Sequence, residues 1–150
     1  MAGSRDLGIL MKKNDKASAK RPKWEVFVDS DWAGVTDDGQ DLRKSTSGYL
    51  AFVNGSLVHF YSRTQKQTAM SSCEAEFISV ATGVSETMYL KRVVEFLWGE
   101  EPEVEIYCDS SSARQLASKK GLGNIRHLDL KLLFAQRMLE EKLFVLKPIA

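Results

Sequence analysis

Five acidic side chains mark where this sequence can do chemistry. Asp29 ends the apolar run WEVFVDS (Trp24 to Ser30), with Asp31 two residues on, and Asp109 ends VEIYCD (Val104 to Asp109), after which the chain turns at once into SSSARQLA. Both runs read as strands, and ligands of open α/β sheets bind at the carboxyl ends of strands. Two acid-tipped strands in one small chain point to a metal. The plainer reading makes each Asp a helix or turn cap, which Asp favours; it accounts for one such residue more readily than for two. Mg²⁺ takes oxygen ligands in near-octahedral geometry, commonly a few carboxylates plus waters and substrate phosphates. A third acid can come from Glu74 or Glu76, at the start of a long helical pattern. At about 100° per residue the two flank its apolar stripe on opposite sides, so periodicity does not choose between them. As first-turn acids, both are also favoured by the helix dipole alone.

Other chemistries fit less well. Asp29-x-Asp31-x-Ala33-Gly34 has the opening ligands and the glycine of a calcium loop, but Ala33 replaces the third ligand and Gln40 stands where the bidentate Glu belongs. His59 and His127 have no partner at zinc-site spacing. Ser110, Ser111 and Ser112 have no neighbouring histidine and no nucleophile-elbow pattern.

The elements that must position these acids follow from patterning. Val26, Phe27 and Val28 form an unbroken apolar run, which suits a central strand covered on both faces. After a polar stretch, Thr36 to Ser47, the segment GYLAFVNGSLVHFYS holds two β-rich runs joined by Asn54-Gly55, a tight-hairpin signal. From about Ser71 to Trp98 the period becomes helical, with Phe77, Ala81, Val84 and Met88 on one stripe, Ser71 or Ser72 as cap and Gly99 as stop. The strand ending at Asp109 thus follows a helical crossover, which predicts parallel pairing with the first strand. A short helix from Ser111 to Lys119, a break at Gly121, Gly123 and Asn124, a helix from Leu128 to Glu141 and a last strand from Leu143 to Ile149 complete the order βββαβααβ.

Composition bounds the rest. The 150 residues, 43% apolar and 27% charged, fit one domain with a real core, and a net charge of +1 gives no global pull toward nucleic acid or membrane. The basic side chains concentrate at the start: residues 1 to 23 hold Arg5, Lys12, Lys13, Lys16, Lys20, Arg21 and Lys23 against Asp6 and Asp15. Such an arm can touch phosphates, or serve as a solvated linker. Cys73 and Cys108 have no metal-ligand spacing, and the sequence has neither a signal-peptide pattern nor a long apolar span. The expected setting is intracellular, cytoplasmic or nuclear, with reduced thiols and no membrane partner.

Five ordered motifs then identify a family. Asp29-Ser-Asp31-Trp32-Ala33-Gly34, Arg43-Lys44-Ser45-Thr46-Ser47-Gly48-Tyr49, Ser71-Ser72-Cys73-Glu74-Ala75-Glu76-Phe77, Cys108-Asp109-Ser110-Ser111-Ser112-Ala113 and Arg126-His127-Leu128-Asp129 resemble the RNase H domain that follows reverse transcriptase in copia-type LTR-retrotransposon Pol polyproteins. The resemblance covers about Lys23 to Ala150. It implies an α/β, RNase H-like fold: a mixed five-stranded sheet, three antiparallel strands then two more, with flanking helices. Residues 1–22 would be a basic arm, a remnant of the connection from the reverse transcriptase, and 23–150 the domain. The implied activity is metal-dependent hydrolysis of the RNA strand of RNA:DNA hybrids, with Asp29, Glu76 and Asp109 as catalytic metal ligands. Glu76 is preferred to Glu74 because Ala75-Glu76-Phe77-Ile78 is similar to the family pattern.

The implied cofactor is Mg²⁺ in a two-ion site, the ions about 4 Å apart, with Mn²⁺ as a substitute. Asp29 would bridge both ions, and Glu76 and Asp109 would complete the one nearer the leaving group. Arg43, Lys44 and Ser110 are candidate nucleic-acid contacts; Asp31, His127 and Asp129 are candidate auxiliaries. The implied partners are the hybrid, read through 2′-hydroxyls across its wide minor groove, and the reverse transcriptase of the same polyprotein. The family's fourth carboxylate lies on a helix after the last strand, and the sequence stops at Ala150, so the domain is expected to be truncated there and to lack that final helix. An inactive retroelement remnant that folds and binds nucleic acid is the alternative, and another nuclease or resolvase on the same fold is a third reading.

Overall fold

The computed structural model describes residues 21–32, 44–119 and 130–149. Strand β1 (Lys23–Asp31) is followed by β2 (Thr46–Val53), β3 (Ser56–Thr64), helix α1 (Ser72–Trp98), β4 (Glu103–Tyr107), α2 (Ser111–Ser118), α3 (Leu130–Glu140) and β5 (Val145–Lys147). They form one five-stranded sheet in the order β3-β2-β1-β4-β5. β1 lies at the centre, as its apolar run predicts. It pairs antiparallel with β2 and parallel with β4, and β5 is parallel to β4. Among the described residues no helix is long and apolar enough to cross a membrane.

Local chemistry sets these elements. Asn54 and Gly55 take φ 49° and 80° at the β2–β3 turn, the left-handed pair that a two-residue hairpin needs and that Asn-Gly tolerates. At the start of α1, the Ser71 hydroxyl accepts from the Glu74 amide at 3.2 Å, while Glu74 Oε2 accepts from the Met70 amide at 2.7 Å. This reciprocal cap satisfies amides that the first turn leaves free.

Alternation along the strands decides the faces. Trp24, Val26 and Val28 of β1, Tyr49 and Ala51 of β2, and Val104, Ile106 and Cys108 on and just beyond β4 are buried with Phe77, Val80, Ala81 and Val84 of α1 in one core. Gly83 lets α1 lie close on β1: a Cβ there would stand 2.5 Å from Val28 Cγ1. On the other face Phe27 stacks on Tyr107 at 4.9 Å and meets Phe52 edge-on at 5.8 Å. Phe27 is therefore only half-buried, and neighbouring aromatic rings, rather than a packed layer, cover this second face of β1. Beside the rings, the Glu105 carboxylate accepts from Tyr107 and contacts Lys23 and Lys147, and these charge-assisted bonds hold it down to about 2.

Several boundaries differ from the expected ones: β4 ends at Tyr107, two residues before Asp109, and α3 ends at Glu140, one residue early. β5 spans Val145–Lys147 instead of Leu143 to Ile149, because Leu143 bonds back to Met138 O in the turn that ends α3. α2 stops at Ser118, one residue early. The Gly121 to Asn124 break and the first residues expected for α3, Leu128 and Asp129, lie outside the described residues.

Candidate active site

Parallel pairing brings the two acid-tipped strands to one rim. Phe27 pairs with Tyr107; Asp29 stands two residues farther along β1 and Asp109 two residues past the end of β4, both exposed. α1 crosses the same rim with its first turns. The Ser79 hydroxyl donates to the Asp29 carbonyl at 2.6 Å, so the helix is pinned to the strand end at the acid itself. Three residues before Ser79, Glu76 points toward the strand ends. Ligand-capable atoms of Glu76, Cys108 and Asp109 all lie within 4.8 Å of one another.

The carboxylate of Glu76 is the most perturbed group here. Partial burial first, then the charges of Asp29 and of Asp109, push it up to about 7, against a smaller pull from the Ser30 amide. Its Oε2 is buried and finds no hydrogen-bond partner among the described residues. A buried carboxylate oxygen without a partner is costly, and two neighbouring acids raise that cost. A divalent cation would remove it by supplying positive charge to these oxygens. The residues present fit such an ion: two exposed carboxylates and one half-buried one, all hard oxygen donors.

Glu74 and Cys108 separate from this group on chemical grounds. Glu74 is engaged in the α1 cap, which resolves the choice that periodicity leaves open: the capping acid is Glu74 and the site-facing one Glu76. Cys108 is close, yet burial pushes its thiol up to about 11, so at neutral pH it is a protonated, soft group unsuited to Mg²⁺. Its neighbour is held by Arg114 of α2, whose Nη1 donates to the carbonyls of Cys108 at 2.5 Å and Asp109 at 2.8 Å.

The remaining candidates are placed as follows. Asp31 is exposed at the tip of β1, and neither it nor Asp29 belongs to the 4.8 Å group; Asp29 is tied to the site by its charge on Glu76 and by the Ser79 bond to its carbonyl. Lys44 is half-buried two residues before Thr46; Thr46 pairs with Asp31, so Lys44 enters on the same rim. Ser110 is the N-cap of α2, accepting from the Ala113 amide at 3.2 Å, a structural role that already accounts for it. Arg43, His127 and Asp129 lie outside the described residues. Sequence reasoning missed Ser79, Arg114 and Gln65, the polar side chains that bind the site backbone. They carry no motif of their own, since their roles depend on contacts 50, 5 and 10 residues away.

The fold, a central acid-tipped strand with its parallel neighbour ending in a second acid, is that of an RNase H domain. Over 84% of its length the chain superposes on the N-terminal RNase H domain of a Mycobacterium tuberculosis protein, with a TM-score of 0.50, 14% identity and 87% of that chain covered. Its sequence is 36% identical over 129 residues, 84% of the chain, to the retrovirus-related Pol polyprotein from transposon TNT 1-94 of Nicotiana tabacum, and 35% identical over 120 residues to that from transposon RE2 of Arabidopsis thaliana. The chain is an RNase H-like domain homologous to part of the retrovirus-related Pol polyproteins of transposons. It spans 9% and 8% of the length of these two relatives. No family model matches it.

Proposed function

We propose that the chain is a ribonuclease H acting within a retrotransposon polyprotein, hydrolysing the RNA strand of RNA:DNA hybrids with Mg²⁺, or Mn²⁺ in its place. In this reading residues 23–150 are the nuclease domain, and 1–22 a basic connection from a reverse transcriptase in the same polyprotein. The observation that carries it is the half-buried Glu76 carboxylate, with Oε2 buried and without a hydrogen-bond partner among the described residues, raised to about 7 beside Asp29 and Asp109 at one sheet rim.

Asp29, Glu76 and Asp109 would hold the cations. Bound there, divalent ions stabilise charge on the attacking and leaving oxygens of an in-line displacement and lower the pKa of water. The residues of the chain supply position. Ser79 and Arg114 grip the carbonyls beside the two strand-end acids, so the carboxylates present a fixed face to the phosphodiester. In the hydrolysis, water oxygen bonds to phosphorus as the phosphorus–oxygen bond to the leaving sugar breaks, and the leaving oxygen takes up a proton. Lys44, on the same rim, supplies positive charge toward the backbone and carries no base specificity.

The test is cleavage of a labelled RNA:DNA hybrid by the 150-residue chain in Mg²⁺, in Mn²⁺ and in chelator. Metal-dependent cutting of the RNA strand alone, lost in Asp109→Asn, supports the reading. Hybrid binding without cleavage under all conditions favours a nucleic-acid-binding remnant.

A further inference from the structure

We infer that Gln65 is a positioning residue that sets the spacing between Asp29 and Glu76. The inference rests on the metal-site reading above. Gln65 follows β3 directly, and its backbone amide donates to Ser45 O at 2.7 Å, which fixes its Cα beside the start of β2. The side chain then runs inward, 6% exposed. Its Nε2 stands 3.2 Å from Ser30 Oγ, 2.9 Å from Ser47 Oγ and 2.9 Å from Ala75 O.

These partners are the immediate neighbours of the site. Ser30 follows Asp29, Ala75 precedes Glu76, and Ser47 lies on β2, opposite Ser30 in the ladder. One amide therefore ties the end of β1 to the first turn of α1, the two segments that carry acids with no other close covalent or ladder connection. The Ser30 amide also draws on the Glu76 carboxylate, so a shift of Ser30 relative to Ala75 changes that contact as well. An amide nitrogen has two hydrogens. With Ala75 O taking one, either serine can take the other, and losing both serines frees the β1 side of the tie. Gln65 Oε1 is buried and finds no partner among the described residues. The Ser79 bond to the Asp29 carbonyl joins α1 to β1 one turn farther along the helix, and Trp32 Nε1, donating to Ala69 O at 3.4 Å, is a weaker tie on the near side.

The loss of one restraint of this kind should be felt in how well the acids gather round a cation, beyond any effect on folding. The experiment titrates Mn²⁺ into the whole chain by calorimetry, with melting temperature measured in parallel. It compares wild type, Asp109→Asn, Gln65→Met, the double variant Ser30→Ala/Ser47→Ala, and Tyr49→Phe. The last removes a buried hydrogen bond between Tyr49 and Thr87, 3.0 Å long and within the core, and serves as the control for destabilisation alone. The expected result is a weakening of Mn²⁺ binding of about tenfold in Gln65→Met and in the double serine variant. Tyr49→Phe should keep wild-type affinity despite a lower melting temperature. The serine pair keeps the glutamine and the core volume, so it reads the tie even where Gln65→Met folds poorly. Should Asp109→Asn lose Mn²⁺ while Gln65→Met and the serine pair bind it like wild type, the positioning role is overturned and the metal site stands. Should wild type bind no Mn²⁺, or Asp109→Asn bind it unchanged, the metal-site reading falls, and this inference with it.

Discussion

Neutralising Glu76 should make the metal-free protein more stable while destroying the site. In the folded chain this carboxyl is raised from 4.5 to about 7 by burial and by Asp29 and Asp109. The folded state therefore holds the proton more tightly than the unfolded chain does, and stability falls as pH rises from about 4.5 through about 7. The gap between those values corresponds to about 3 kcal/mol at full strength. Glu76 is only half-buried, so solvent screening reduces this to about 1–2 kcal/mol. Glu76→Gln removes the charge and keeps the shape. In chelator at pH 8 it should raise the melting temperature by about 2–8 °C, given about 2–4 °C per kcal/mol for a domain of this size. At pH 5 the gain should shrink toward zero, because wild-type Glu76 is then protonated. Saturating Mn²⁺ should reverse the order, since only the wild type gains full binding energy from the ion. Differential scanning fluorimetry at the two pH values, with and without metal, measures all of this. A melting temperature that drops in Glu76→Gln at pH 8, or rises equally at both pH values, refutes the reasoning.

Three further outcomes are expected. Asp109→Asn should reduce cleavage of hybrid about a hundredfold or more, the scale on which loss of a group serving the developing charge is felt, with little change in melting temperature, because the side chain is exposed; a hybrid-cleavage time course decides. Gly83→Ala should cost up to about 2 kcal/mol in urea unfolding: the 2.5 Å approach to Val28 Cγ1 forces repacking worth about 1–3 kcal/mol, against a helix-propensity gain of about 1 kcal/mol, and a stabilised variant would contradict the close helix–strand contact. Glu105, lowered to about 2 chiefly by Lys147, contributes stability that is complete above its ordinary value of 4.5 and is lost as pH falls toward about 2; Glu105→Gln should therefore flatten the acid limb of the stability curve measured by circular dichroism.

Much of this architecture was legible in the sequence because its signals are local. Asn54-Gly55 dictates the hairpin, the Ser71 cap and Gly99 bound α1, and the crossover between two apolar strands dictates parallel pairing, which brings Asp29 and Asp109 to the same rim. Periodicity could not separate Glu74 from Glu76. That distinction depends on which carboxylate closes the cap on Met70, a contact available only once the turn before the helix has its shape. The second face of β1 was misjudged for a related reason: an unbroken apolar run looks the same whether a helix or a row of aromatic side chains from neighbouring strands covers it. Gln65, Ser79 and Arg114 escaped altogether, since a polar side chain bonded to a backbone carbonyl, which every residue carries, leaves no pattern in a single sequence.

The central claim is that Asp29, Glu76 and Asp109 together hold a divalent cation. Crystals of the chain soaked in Mn²⁺ and measured for anomalous scattering test it most directly. The account predicts a peak at the sheet rim with oxygen ligands from all three carboxylates and none from the Cys108 thiol. A rim with no peak, or an ion bound by Asp109 and Cys108 with Asp29 and Glu76 uninvolved, would contradict it.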